Sequence, residues 1–151
     1  MKGSKLLFVT SWVILLFIFG AITLYSALSL WRAYTGFHDR LTPEYSITQI
    51  QEQGGDEAVK AFRGRRATAA TAAIGYGILA FWITLVSYRR GERWAWWALF
   101  VSVGLSQLLS LARAPMLATT GGVGAPAIVL AFVLLGLLAG APRMFSQRQI
   151  P

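Results

Sequence analysis

The sequence predicts an all-α integral membrane protein whose four transmembrane helices pack as an antiparallel bundle, with one extramembrane loop over residues 32–66 that carries a short helix. Three observations predict it. The composition is 56% hydrophobic and 13% charged, whereas soluble domains carry about 25% charged residues. The apolar residues gather in four long runs, and about 20 helical residues suffice to cross a hydrocarbon core of about 30 Å. The runs are continuous and lack period-two alternation, which favours helices that satisfy their own backbone hydrogen bonds over the strands of a membrane barrel. Residues 1–151 read as a single membrane domain.

The first span covers residues 6–31. Lys2 and Lys5 ahead of it also suit a secretory signal, but the run far exceeds an apolar region of about 7–15 residues and no small-x-small cleavage site follows, so it reads as a retained span. In the loop, Thr42, Pro43 and Glu44 supply a cap, a first helical position and a first-turn acid for a short helix reaching toward Gln53. Gly54-Gly55 breaks it, and Asp56 and Glu57 open a helix that continues through Val59 and Phe62 into the second span, residues 67–88. Tyr45, Ile47, Ile50, Val59 and Phe62 are too few apolar positions for an independent core, which places the loop on a membrane surface or a partner protein. The third span covers 94–112 and the fourth 122–141, with Pro126 in its first turn and Pro142 just past its end.

Between the second and third spans stands SYRRGERWAWW. Arginines interleaved with aromatic rings also describe a platform for single-stranded nucleic acid, but the connection is too short to build such a surface. The pattern instead predicts a membrane interface, with Arg89, Arg90 and Arg93 among lipid headgroups and Tyr88, Trp94, Trp96 and Trp97 in an aromatic belt. Trp31 and Tyr34 play the same part beyond the first span. Four spans put both termini and this turn on one side, where seven basic residues lie, against seven on the other. The short turn and the flank of the first helix weigh more than a long loop, so cytoplasmic termini in a bacterial-type inner membrane are expected.

Chemistry is sparse. The chain has no cysteine, which excludes disulfides, thiolate metal sites and cysteine nucleophiles, and its single histidine, His38, is the one candidate ligand for a haem or pigment metal. Glu52, Asp56 and Glu57 lack the spacing of a calcium loop. On the third span Ser102, Ser106, Ser110 and Arg113 fall at spacings of four, four and three, on one helical face, with Glu92 in the same sector and Gln107 at the edge. Intramembrane polar groups are costly unless paired, so this face is expected to point into the bundle or at a partner. Ala69, Ala73 and Gly77 form a small-residue ridge on the second span, Thr71 and Gly75 form another, and Gly136 and Gly140 form a third on the fourth span. Ridges of this kind let helix backbones approach closely.

The chain resembles, in general form, small four-span membrane proteins of prokaryotes, a resemblance that transfers no residue role. The expectation is a non-enzymatic protein acting through helix packing, an accessory or scaffold subunit of a larger membrane complex, with a respiratory or photosynthetic electron-transport assembly as a natural home. No cofactor is expected beyond bound lipid or pigment, and the partners are membrane lipids and other integral membrane proteins rather than nucleic acid. The alternative is a free-standing carrier or lipid-binding protein with a pocket lined by Tyr25, Ser29, Tyr76, Ser106, Gln107 and Arg113. A weaker alternative is a pigment-binding subunit using His38.

Overall fold

The computed structural model describes residues 2–36, 47–116 and 124–146, with side chains over 6–36, 47–112 and 124–145. Apart from Gly36, Gly91 and Glu92, every described residue is helical, with one kink at Gly55. Helix α1 is Lys2–Thr35 and α2 is Ile47–Ile83, which runs on through a wide π turn, Thr84–Tyr88. Helix α3, Arg93–Leu99, passes through a second π turn, Phe100–Gly104, into α4, Leu105–Met116, and α5 is Gly124–Ser146. Four stretches are long and apolar enough to cross a membrane: Leu6–Thr35, Ile47–Tyr88, Arg93–Ala112 and Gly124–Phe145.

Helix runs further than the apolar runs require. Arg32 in the last turn of α1 complements the negative end of the helix, and the Gly36 N–H closes it on the Arg32 carbonyl at 2.9 Å. Within 32–66, described residues other than Gly36 are helical up to the kink, so the connection is less loop-like than its polarity suggests. The expected break is there: Gly55 has φ 67° and ψ −172°, a combination that side chains with a Cβ resist. Gln51 Nε2 donates to Asp56 Oδ1 across it at 2.9 Å. Beyond the kink α2 continues without interruption, as the Val59 and Phe62 positions predicted. The caps expected at Thr42, Pro43 and Glu44, the apolar Tyr45, and His38 all lie outside the described residues.

Pro142 requires a correction. It was expected beyond the end of the fourth span, but α5 passes through it to Ser146. Proline removes one ladder bond and crowds the preceding turn. Here the turn that follows is held from outside: the Met144 carbonyl accepts from Arg93 Nε at 3.0 Å, and the Arg143 guanidinium lies 4.3 Å over the Phe8 ring.

The chain divides into two compact units, residues Met1–Gly20 with Leu79–Pro151, and residues Ala21–Ile78. In the first, the buried stripe of α1 is Phe8, Ser11, Leu15 and Phe19, at the three- and four-residue spacing of one helical face. Leu99, Val103, Leu137 and Met144 of the other helices are buried in the same unit. The second unit packs through smaller groups. Ala33, Val59 and Ala70 are buried, and a Cβ at Gly77 would collide with the Thr23 hydroxyl, so only glycine allows that approach.

The turn between the π turn Thr84–Tyr88 and α3 is closed by two backbone hydrogen bonds. Gly91 N–H bonds the Tyr88 carbonyl at 2.9 Å and Glu92 N–H bonds the Ser87 carbonyl at 3.1 Å. These two bonds make a Schellman motif, which needs a left-handed residue after the cap, and Gly91 supplies it at φ 83°.

Candidate functional site

The most developed polar arrangement lies inside the first unit. Ser11 Oγ is 2.6 Å from the Tyr88 hydroxyl and donates to the Gly136 carbonyl at 2.6 Å. Each hydroxyl has one proton. With Ser11 donating to Gly136, Tyr88 must donate to Ser11 Oγ, and its 3.4 Å contact to the same carbonyl is the weaker one. Ser11 and Tyr88 are both 0% exposed. Their polar atoms are therefore satisfied by each other and by backbone, an arrangement that fixes three helices at one point. Gly136 and Gly140 make the room. A Cβ at Gly136 would lie 3.0 Å from Leu15, and one at Gly140 would overlap the Tyr88 hydroxyl and lie 2.7 Å from Ser11 Oγ.

Two of the aromatic residues singled out in the sequence pack in the same unit as this knot. Tyr88 and Trp96 were expected in an outward belt and are instead core residues. Tyr88 stacks on Phe8 with centroids 5.8 Å apart, and Trp96 donates its indole N–H to the Leu137 carbonyl at 2.8 Å. Trp96 also packs between Phe100, at 5.1 Å and nearly parallel, and Phe145, at 5.4 Å and edge-on. Trp94 and Trp97 are about half exposed, as are Trp31 and, more so, Tyr34. Arg89, Arg90 and Arg93 are exposed, and Arg89 lies over the Trp12 ring at 5.4 Å.

The polar stripe of the third span does not reach the core. Ser102 and Ser106 are exposed, and each bonds its own helix: Ser102 Oγ to the Ala98 carbonyl at 2.5 Å and Ser106 Oγ to the Val103 carbonyl at 2.9 Å. Gln107 and Ser110 are half-buried, and the Arg113 side chain is outside the described set. The π turn Phe100–Gly104 also breaks the alignment assumed for a straight helix, because its extra residue moves Glu92 out of phase with the serines by about 100°. Back-bonding hydroxyls bend helices, and each wide turn has one: Ser102 in the second, and Thr84 Oγ1 on the Ala80 carbonyl at 2.8 Å in the first.

Of the ridges, Gly77 is used inside the second unit while Ala73 is half-buried and Ala69 exposed. The burial follows Ala70, Gly77 and Ala80 instead. Thr71 and Gly75 face outward, and a Cβ at Gly75 would meet nothing within 4 Å. For the pocket expected of a carrier, Tyr25 is 71% exposed and Ser29 accepts from Arg66 Nε at 3.3 Å, both in the second unit. Ser11, the centre of the buried knot, carried one available signal: it is the polar member of the Phe8, Leu15 and Phe19 face. Among the described residues no group of three or more His, Asp or Glu side chains is placed to hold a metal ion. No protein-family model, curated protein or solved structure matches the chain.

Proposed function

We propose that this is a multi-pass membrane protein, an antiparallel four-helix bundle that works without catalysis as an accessory or scaffold subunit of a larger membrane complex. The observation that carries the reading is the division of its small-residue ridges. Gly77, Gly136 and Gly140 are filled by Thr23, Leu15 and Tyr88 of the same chain, while Thr71 and Gly75 remain outward, with space where a foreign helix can approach closely. The antiparallel arrangement is supported by the contacts of Phe8 with Arg143 and of Trp12 with Arg89, which gather the start of α1, the end of α5 and the turn after α2. The buried hydroxyls of Ser11, Tyr88 and Thr84 are engaged in helix-to-helix or helix-internal bonds, which suits packing rather than reaction.

A bacterial-type inner membrane with cytoplasmic termini is the orientation we favour, from the weight of the short arginine turn. Mild-detergent extraction should recover the protein at fixed stoichiometry with larger membrane proteins. Thr71→Leu with Gly75→Leu should release it as a folded chain, whereas Gly136→Leu should unfold the chain itself. If the protein purifies alone in a homogeneous state and its genetic loss leaves every large complex intact, the scaffold reading fails and a free-standing carrier replaces it.

A further inference from the structure

The net charge of +8 is not spread along the chain. Residues 1–20 with 79–151 hold eight basic side chains and one acid, a net +7, whereas residues 21–78 hold six basic and five acidic, a net +1. Within the first unit, Arg89 and Arg90 follow the π turn Thr84–Tyr88, Arg93 comes from the start of α3 and Arg143 from the last turn of α5. The one acid, Glu92, accepts the indole N–H of Trp94. Among the described residues no carboxylate pairs with Arg89, Arg90 or Arg143.

We infer that this arginine end binds the phosphate of an anionic phospholipid, with the lipid's acyl chains lying along α1; the inference rests on the membrane reading above. Two of the guanidinium groups are held in place before any ligand arrives. Arg143 lies 4.3 Å over Phe8 and Arg89 lies 5.4 Å over Trp12, and Phe8 and Trp12 stand one helical turn apart on α1. Phe8 is itself fixed, 2% exposed and stacked on Tyr88. A guanidinium resting on a ring uses its face, and its N–H donors project from its edge in the plane that matches two oxygens of a phosphate. Glu92 offsets only one of the four arginine charges gathered here, and an anion relieves the repulsion that remains.

The ligand is amphiphilic because apolar surface begins where the cations end. Leu6, Val9 and Val13 of α1 and Phe145 of α5 are exposed on the same helix turns that carry Phe8, Trp12 and Arg143. Trp94 and Trp97, each about half exposed, mark the level at which indole rings meet headgroups. A free phosphate satisfies the arginines and leaves this track bare. A lipid phosphate uses both.

The test uses the full chain, extracted in neutral detergent and stripped of lipid, with phosphatidylglycerol as the probe, phosphatidylcholine as the neutral comparator and inorganic phosphate as the free anion. Binding is read by tryptophan fluorescence and by lipid retained in native mass spectrometry. Phosphatidylglycerol should be preferred, and Arg89→Gln with Arg143→Gln should lower that preference roughly 25-fold, about fivefold for each cation. Arg90→Gln, exposed and off the rings, should lower it about fivefold even if the double variant fails to fold. Lys60→Gln with Arg65→Gln removes the same charge from the second unit and should change nothing. Equal binding of the two lipids, an equal loss in the Lys60 and Arg65 control, or displacement of the lipid by an equal concentration of inorganic phosphate each overturns the assignment. Alkaline extraction of native membranes is run first. Release of the protein there refutes the membrane reading, whereas retention followed by absent lipid selectivity refutes the headgroup site alone.

Discussion

Replacing Gly140 with alanine tests the packing at the Ser11, Tyr88 and Gly136 knot. The new Cβ would overlap the Tyr88 hydroxyl and stand 2.7 Å from Ser11 Oγ. Tyr88 cannot swing aside, because it is 0% exposed and stacked on Phe8. Overpacking of a tight core costs about 1–3 kcal/mol, against a gain of about 1 kcal/mol from replacing glycine in a helix interior. Gly75→Ala is the matched control, since its Cβ would meet nothing within 4 Å and only the propensity gain remains. The propensity term cancels between the two variants, so they should differ by about 1–3 kcal/mol, with Gly140→Ala the less stable. Tyr88→Phe alone removes a bond worth about 0.6 kcal/mol on average in membranes. Combined with Gly140→Ala it removes the nearest obstacle, and the pair should be less damaging than the sum of its parts. Denaturant unfolding in detergent, followed through the summed fluorescence of the six tryptophans, reads all four proteins. Gly140→Ala as benign as Gly75→Ala, or no relief from Tyr88→Phe, would falsify the proposed geometry.

Three further outcomes are expected. Trp96→Phe keeps an aromatic ring but loses the bond to the Leu137 carbonyl, and should lower stability by about 0.6–1.7 kcal/mol in the same unfolding assay; an unchanged midpoint contradicts the buried position. Gly91→Ala forces a Cβ into φ 83° and should cost about 1–2 kcal/mol, with Gly91→Asn milder, as comparative melting of the two variants would reveal. Cysteines placed at Ser4, Arg90 and Ser146 should resist an impermeant thiol reagent in intact cells while one at Ser46 reacts, and the reverse labelling pattern rules out cytoplasmic termini.

The long helices were legible because a continuous apolar run leaves few alternatives, and the Gly54-Gly55 break was legible because glycine pairs interrupt helices for a local reason. Which side of a helix faces inward was much harder to read. In α1 the polar residues are scattered around the helix, so the inward face of Phe8, Ser11, Leu15 and Phe19 has no polar opposite face to reveal it. Tyr88 and Trp96 were misplaced because an aromatic beside an arginine suits a headgroup layer and a core equally, and helix phase decides between them. Phase in turn depends on the π turns at Thr84–Tyr88 and Phe100–Gly104, which have no sequence signature of their own. Of the two directions expected for the Ser102 and Ser106 face, into the bundle or toward a partner, the structure leaves the outward one. A serine that bonds its own helix carries little cost in an apolar setting and does not need a partner.

The Ser11 knot also sets an order of events during synthesis. Its hydroxyl meets Tyr88 across 77 residues of chain and the Gly136 carbonyl across 125. At roughly 5–20 residues per second, the ribosome takes about 6–25 s to travel from Ser11 to Gly136. For about the first 4–15 s of that interval Ser11 has neither partner, and then Tyr88 arrives first. The early helix must therefore wait with a polar group exposed on its inward face, the two-helix intermediate satisfies that group provisionally, and the last helix completes the bond. A chain released before α5 emerges would hold Ser11 against Tyr88 alone, with the place that Gly136 and Gly140 occupy still open, which is the state a membrane quality-control protease would encounter.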